Sequence, residues 1–563
     1  MLISRYHDQT KHHFHRFARS LGYLDWASQP DPFRRYRGAP TIDLPHKALA
    51  VNVPYDALFD GSQRPSPMSD HSIGEFFRCS MGLSAWKQHG ATRWALRVNP
   101  SSGNLHPTEA YLIRQGHVYH YAPHDHALEE RCVFGPPETI ADSGANRGTD
   151  RAADHADHAV YHDAGDSDSS FLVALTSIYW REAWKYGERA FRYCQHDAGH
   201  AIAALRLAAA LLGWRLALLP RWSDAQMAAL LGLDRDADYD GAEREEPECL
   251  AVVTAGDPLY WLERDPVPFA EAAADGSWSG VANQLSAEHT EWIAIDEASV
   301  ATRYPGRAPA TPRIWSEPTW TGQGAAVSRR GALHARSVML ARRSALAFDS
   351  HGSLGRDAFF AMLDRLRPAA PPWDAIDWPP HVHLVLFVHR VEGLVPGVYA
   401  YLRDGVVRTE WQQAMRSDFL WEPISASEQH DPSAQREPNG LFLLVPIDCR
   451  HVASRLSCDQ DIAADGYFSL AMIARMDMSL GERGEWCYRR LFWECGLIGQ
   501  VLYLEAEAAG GRATGIGCFY DDAVHEALGL TGHAWQSLYH FSMGAPIEDG
   551  RLTTESGYAW ETA

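Results

Sequence analysis

Two stretches of this sequence repeat one another at a distance of 297 positions. The pairs that match without a gap are Gly199 with Gly496, Leu205 with Leu502, Gly213 with Gly510, Gly232 with Gly529 and Leu233 with Leu530. Each copy has the pattern of a long apolar helix, a glycine stop, a short strand and a small helix that ends in Leu-Gly-Leu. A repeat of this kind indicates two copies of one structural unit.

The strands expected around this unit are Tyr111–Tyr121 and Leu250–Ala255 in the first copy, and His383–Val388 and Leu441–Pro446 in the second. Helices and strands that alternate in this way predict an α+β layered domain. The 563 residues exceed the size of one ordinary core, and 46% of them are hydrophobic. We therefore expect two tandem α+β domains, over residues 1–285 and 286–563.

Composition and charge exclude several classes of protein. The hydrophobic and aromatic content excludes a wholly disordered or collagen-like chain. A formal charge of −21 without any Lys/Arg block makes nucleic acid and anionic membranes poor partners. Only Pro136–Ser170, rich in Asp, Ala, Gly and Ser, is expected to be a mobile surface insertion. Pro305–Pro318 is interpreted as part of a connection between the halves.

The nine cysteines are scattered and form no C-x-x-C, which argues against a disulfide framework and a zinc knuckle. The N-terminus has no apolar core of a signal peptide, and Arg206 and Arg215 interrupt the longest apolar stretch, Ala201–Pro220. We therefore predict a cytoplasmic protein in a reducing compartment.

Four short segments carry the chemistry. They are Arg97–Tyr111 (RVNPSSGNLHPTEAY), Trp184–Tyr193 (WKYGERAFRY) with Ala198-Gly199-His200, Arg342–Phe348 (RRSALAF) and Thr514–Gly517 (TGIG). In the first, Pro100, Ser101, Ser102, Gly103 and Asn104 predict a tight turn that can approach a planar ligand, with Ser and Asn bonding its polar edge. A capped loop that enters a helix is the structural alternative. The Arg pair and Ser344 suit a phosphate, although such a pair is more often a solvated surface.

Together, these segments resemble the motifs of the nitroreductase superfamily, in the form typical of its SagB/ThcOx dehydrogenase branch. The resemblance implies the nitroreductase fold, non-covalently bound FMN and two-electron redox chemistry. It assigns the FMN phosphate to Arg342, Arg343 and Ser344, and a bare strand-turn beside the flavin ring to Gly515, Ile516 and Gly517.

The two copies have lost opposite parts of this motif set. The repeat places Leu218-Leu219-Pro220 where the second copy has Gly515-Ile516-Gly517, and no P-S-x-x-N follows the RRS of the second copy. In the superfamily, the flavin lies at a two-fold dimer interface. We therefore predict an intramolecular pseudo-dimer with one complete FMN site and one vestigial site. A further homodimer of the whole chain stays open.

Lys185 and Tyr186 are the predicted catalytic pair, because the resembling dehydrogenases use a Lys-Tyr pair near the flavin. A phenolate stabilised by the ammonium would accept the substrate proton. The alternative is a buried tyrosine beside an exposed lysine. The implied reaction is oxidation of an azoline to an azole in a peptide-derived or other small heterocyclic substrate, with oxygen as acceptor. The alternatives are an NAD(P)H-dependent nitro, quinone or enone reductase, and a flavin-free scaffold that pairs with a cyclising partner enzyme.

No metal site is predicted. His196 and His200 lie one helical turn apart, but no carboxylate or cysteine completes a ligand set, so a structural role is favoured. The group His7, His12, His13 and His15 is interpreted as part of a polar N-terminal helix, with adventitious metal binding as the alternative.

Overall fold

The computed structural model describes residues 2–49, 52–135, 169–307, 333–425 and 440–561. Its helices are α1 Leu2–Gln9, α2 Asp70–Arg78, α3 Tyr179–Tyr186, α4 Ala190–Leu211, α5 Asp224–Leu231, α6 Leu259–Glu263, α7 Val267–Ala274, α8 Ile293–Ala301, α9 Ala335–Ala341, α10 Arg356–Arg365, α11 Arg408–Ala414, α12 Arg450–Leu456, α13 Ile462–Asp465, α14 Met476–Arg483, α15 Cys487–Ala508 and α16 Asp521–Leu528. Its strands are β1 Tyr36–Arg37, β2 Thr41–Asp43, β3 Leu83–His89, β4 Thr92–Arg97, β5 Thr108–Arg114, β6 His117–Ala122, β7 Ala127–Val133, β8 Ser170–Ser177, β9 Arg215–Leu218, β10 Glu246–Thr254, β11 Ser277–Trp278, β12 Val281–Ala282, β13 Val382–Val388, β14 Gly397–Tyr401, β15 Glu422–Pro423, β16 Leu441–Pro446, β17 Phe468–Arg475, β18 Arg512–Ile516, β19 Trp535–Gly544 and β20 Thr553–Ser556.

Two antiparallel sheets carry the repeat. In the first half, the strand order β6-β5-β8-β10-β9 forms the centre of a larger sheet, and the same order recurs in the second half as β14-β13-β17-β19-β18. Alternate residues of β8 face two different cores: Phe171 and Val173 pack with the long helices, whereas Leu172 and Ala174 pack on the opposite side. The prediction of two tandem α+β units is confirmed.

The local pattern of the repeat is also confirmed. Each long helix, α4 or α15, is followed by a glycine with positive φ, a short strand and a small helix that ends at a left-handed glycine, Gly232 or Gly529. One expected strand is wrong: Tyr111–Tyr121 is a hairpin of β5 and β6. Gln115 and Gly116, with φ of 52° and 80°, turn the chain between them.

The two long helices cross at the aligned glycines. A Cβ atom on Gly199 would lie 2.3 Å from the carbonyl oxygen of Trp493, and one on Gly496 would lie 2.3 Å from that of His196. All 22 residues of α4 are buried, because α4 lies at the centre of both halves together rather than at the surface of one. This explains why the C-terminal part of α4, from Ala201 to Leu211, is apolar at every position except Arg206.

Two ion pairs between the halves follow the same symmetry. Arg192 contacts Asp521 at 2.8 Å, and Arg489 contacts Asp224 at 2.8 Å. Both partners of the second pair lie 297 positions from those of the first. The halves therefore face each other as the subunits of a two-fold dimer do.

The ends of the chain extend over the opposite half. In α1, His7 contacts Tyr488 and Gln536 of the second half, and β20 pairs with β3 of the first. The helix ends at Gln9, so His12, His13 and His15 do not belong to it, and the expected polar N-terminal helix is wrong in this respect. His7 and His12 are moreover buried rather than exposed.

Apart from Ser169 and Ser170, the predicted insertion 136–170 lies outside the described residues, and so does the connection 305–318 beyond residue 307. Among the described helices, none combines the length and apolar character that crossing a bilayer requires.

Candidate functional site

A cleft with a volume of about 490 Å³ lies between the two halves. A volume of this size is typical of small-molecule and cofactor sites. The first half lines the cleft with Pro100, Ser101, Ser102, Gly103, Asn104 and Tyr186, and the second half with Arg342, Arg343, Ser344, Gly515, Ile516 and Gly517. The Nζ atom of Lys185 lies beside it, 3.2 Å from where a Cβ on Gly103 would be. The structure thus brings together all the residues that the sequence nominated.

Arg342 joins the two halves directly. Its Nε and Nη2 atoms donate to the carbonyl oxygens of Val98 and Arg97, both at 2.9 Å, just before the Pro100 loop. Its Nη1 atom is buried and has no hydrogen-bond partner in the parts of the chain that the structure describes. Burial lowers the pKa of this guanidinium, because no carboxylate in the described chain forms an ion pair with it.

Arg343 lies next to it and is also without a carboxylate partner among the described residues. It donates to the carbonyl oxygens of Leu340, Arg342 and Ser84. Burial, and then the charge of Arg342, lower its pKa to about 10. Neither cation forms an ion pair with a carboxylate of the described residues, and only the more distant charge of Glu507 acts on both. Two adjacent cations of this kind form a site suited to an anionic group. The hydroxyl of Ser344, 3.0 Å from that of Tyr503, lies at the same end of the cleft.

The side chains of the Pro100 loop mainly support the loop itself. Ser101 accepts from the backbone N–H of His106 at 2.8 Å, and the amide of Asn104 donates to Ala95 at 2.9 Å. The N–H and hydroxyl of Ser102 donate to Asp197 at 3.1 and 3.2 Å. The predicted bonds from these side chains to a ligand therefore stay a prediction, whereas the loop's backbone lines the cleft.

Helix α3 positions the Lys-Tyr pair at its C-terminal end. The helix stops at Gly187, whose φ is 55°, and the half-buried side chains of Lys185 and Tyr186 meet at the Pro100 loop. The hydroxyl of Tyr186 lies 2.6 Å from where a Cβ on Gly103 would be, so that position must be glycine for the two to coexist.

The surroundings of Tyr186 oppose the phenolate that was expected from the sequence, and its role as a proton acceptor stays a prediction. Burial, followed by the charges of Glu182 and Tyr193, raises the pKa of its phenol well above the ordinary value. Lys185 lies 5.2 Å from the ring centre and does not reverse this. At neutral pH the group is therefore a neutral hydrogen-bond donor rather than a phenolate, because desolvation opposes the charged form.

The glycine turn is shaped by tyrosines that the sequence did not nominate. A Cβ on Gly515 would lie 1.9 Å from the Tyr539 hydroxyl, and one on Gly517 would lie 2.2 Å from the Tyr193 ring. Between them, Ile516 points away from both glycines into the core of the second half and is 3% exposed. Only its backbone can contribute to the cleft.

Several buried polar groups of the cleft were missed. Asp197 supports the Pro100 loop, and burial raises its pKa to about 7. The buried Oδ1 atom of Asn99 has no hydrogen-bond partner in the described part of the chain, whereas the ring of His200 interacts with Gln500 and with the Tyr539 hydroxyl. Asp197 directly precedes the matched Ala198-Gly199-His200 run, which contains His200 itself, so this motif was a usable signal for both. For Tyr503 the sequence contained no such signal, because the repeat aligns this tyrosine with Arg206.

The cleft related to this one by the repeat is nearly closed, with a volume of about 20 Å³. Side chains occupy it: Leu218, Leu219 and Pro220 replace the glycine turn, and Trp486 and Trp493 fill the opposite wall.

Comparisons with known proteins agree with this architecture. A search of curated proteins finds no match. A protein from Anabaena variabilis that is assigned as a nitroreductase shares the fold, with a TM-score of 0.63 at 19% identity over 97% of this chain and 99% of that chain. Two solved structures match smaller parts of this chain, with lower TM-scores. They are a protein from Ralstonia eutropha assigned as a nitroreductase (TM-score 0.25, 16% identity, 39% of this chain and 93% of that one) and the E. coli microcin synthetase McbBCD complex with truncated pro-MccB17 (TM-score 0.24, 17% identity, 38% and 77%).

The family model described as Nitroreductase matches residues 67–242 and 395–545, more than half of the sequence. These two regions contain most of the strands of the two corresponding sheets, β5, β6, β8 and β9 in the first half and β14, β17, β18 and β19 in the second. The chain belongs to the nitroreductase family and carries two tandem copies of its fold.

Proposed function

We propose that this protein is an FMN-dependent oxidoreductase that binds one flavin in the open cleft, between halves that extend over residues 1–285 and 286–563. The observation that carries the proposal is the position of Arg342. This arginine of the second half lies against the Pro100 loop of the first half, with a buried Nη1 atom that has no hydrogen-bond partner among the described residues.

The donor set of the cleft fits FMN. Arg342 and Arg343 offer guanidinium N–H groups to a phosphate, since neither pairs with a carboxylate in the described chain. Asn99 leaves a buried polar atom, its Oδ1, for the polar edge of a ring. The Pro100 loop and the turn at Gly515 and Gly517 present backbone to a planar group.

Bound FMN supplies two-electron redox chemistry. The chain's own contribution is to hold the substrate beside the Pro100 loop and to handle its proton through Tyr186, with Lys185 next to the phenol. The substrate that we propose is a small or peptide-derived heterocycle, oxidised from azoline to azole. The enzyme would work in the cytoplasm, beside a biosynthetic partner that makes the heterocycle.

The protonation state of Tyr186 favours a second candidate, reduction of a nitro, quinone or enone compound by NAD(P)H. A phenol with a raised pKa can donate a proton to a reduced substrate at neutral pH, whereas an oxidation requires it to lose its proton first. A flavin-free scaffold is the third candidate, and no polar group of the cleft favours it.

Reconstitution with FMN tests these candidates. We expect one FMN per chain, because the related cleft is closed. Bleaching of the bound flavin within seconds of NAD(P)H addition in the absence of oxygen would identify the reductase, and a flavin that only a heterocyclic substrate reduces would identify the oxidase. Failure to bind FMN at all would refute both and leave the scaffold.

A further inference from the structure

The second half places two cysteines at the rim of the cleft. Cys518 follows the glycine turn and lines the cleft, and Cys458 follows α12. Their sulfur atoms lie 2.8 Å apart, and both side chains are half-buried, whereas the other seven cysteines are buried. A reagent that enters from solvent can therefore meet two adjacent thiols only here.

The spacing favours a covalent bond over a metal ion. The Nδ1 atom of His12 lies 3.6 Å from the Cys518 sulfur, so the three residues could supply three metal ligands. Two sulfurs bound to one tetrahedral zinc, however, stand about 3.7 Å apart, given Zn–S bonds of about 2.3 Å. At 2.8 Å, the pair is closer to the arrangement from which a disulfide forms.

The two thiols are unequal. The hydrogen bond between the two sulfur atoms lowers the pKa of Cys518 and raises that of Cys458, since a Cys518 thiolate can accept from the Cys458 thiol. The guanidinium of Arg189, which donates to the carbonyl of Gly517 at 3.2 Å, adds to the effect on Cys518. A thiol with a lowered pKa and partial exposure is the usual nucleophile in exchange reactions, and its neighbour then resolves the intermediate.

We propose that Cys458 and Cys518 form a redox-active dithiol that exchanges two electrons with small-molecule disulfides. The Cys518 thiolate attacks one sulfur of the disulfide RSSR, which forms a mixed disulfide and releases RS⁻. Deprotonated Cys458 then attacks the Cys518 sulfur, closes the protein disulfide and releases the second RS⁻. In sum, two protein thiols and RSSR give one protein disulfide and two RSH. None of these steps requires FMN.

Glutathione redox buffers test the proposal on the full chain. After equilibration, free thiols are alkylated in denaturant and the protein is digested with trypsin. The tryptic peptides 456–475 and 513–551 each contain a single cysteine, Cys458 and Cys518 respectively. We expect oxidising buffer to cross-link these two peptides, with loss of two of the nine thiols, and dithiothreitol to restore both. No cross-link at any glutathione ratio would overturn the proposal.

Single variants test the order of attack. Cys458→Ser should trap glutathione on Cys518, because the resolving thiol is gone, whereas Cys518→Ser should leave Cys458 largely unmodified. Cys449→Ser, at a buried cysteine outside the pair, is the matched control and should behave as the parent. Equal modification of the two single variants would overturn the assignment. So would one equivalent of zinc that stays bound after dialysis and protects both thiols.

Discussion

Replacement of Arg343 by alanine isolates the phosphate part of the proposed FMN site. Arg343 bonds only to backbone carbonyls in the described structure, is half-buried, and has a pKa lowered to about 10 by burial. A hydrogen bond to a charged group contributes about 1.5–3 kcal/mol, so its loss should weaken FMN binding about 10- to 150-fold. At an FMN concentration 100 times the parent Kd, ligand stabilisation should fall from about 2.7 to about 1.4–0.3 kcal/mol.

The assay compares FMN with riboflavin, which has the same ring but no phosphate. Kd values are taken from quenching of flavin fluorescence, and stabilisation from urea unfolding with and without ligand. Arg343→Ala should weaken FMN alone, so the preference for FMN over riboflavin collapses. Arg450→Ala, at a 55% exposed arginine outside the cleft, is the matched control. Equal weakening of both ligands, or no change in either, would refute a phosphate role for Arg343.

Four further outcomes test the site and the fold. Tyr186→Phe should keep the flavin bound but slow turnover about 100-fold or more, measured as kcat at constant FMN occupancy; parent-like turnover would remove Tyr186 from catalysis. Gly517→Ala places a methyl group 2.2 Å from the Tyr193 ring. This should distort the turn and weaken FMN binding, and an unchanged Kd for FMN would contradict the prediction. Gly199→Ala places a methyl group 2.3 Å from the backbone of the opposite long helix. We therefore expect both halves to lose stability and to unfold in one urea transition. A loss of stability confined to one half would contradict the shared core. Burial raises the folded-state pKa of Asp197 to about 7 from 3.8, so the folded state binds a proton that the unfolded state has lost. The free energy of unfolding therefore falls as the pH rises from about 4 to about 7. Asp197→Asn should remove this loss, and its unfolding free energy should drop less between pH 4.5 and 7.5 than that of the parent.

The sequence predicted features that depend on neighbouring residues. The helix-glycine-strand-helix unit was recognisable in both copies because turns and helix ends are specified locally, by residues such as Gly232 and Gly529. The Tyr111–Tyr121 hairpin was missed because its two-residue turn, Gln115-Gly116, is short and lies between two segments that both have strand-forming residues. The site segments were found for a similar reason: each is a short contiguous motif.

By itself, the sequence determined that the chain contains two tandem α+β units and that their motifs are complementary. Only the tertiary structure decided how they are used. It placed Arg342 against the loop before Pro100, raised the pKa of Tyr186 by burial, turned Ile516 into the core and brought Cys458 next to Cys518. These properties depend on distances between segments far apart in the chain and on burial from water, and both arise only when the two halves pack around the crossing of their long helices.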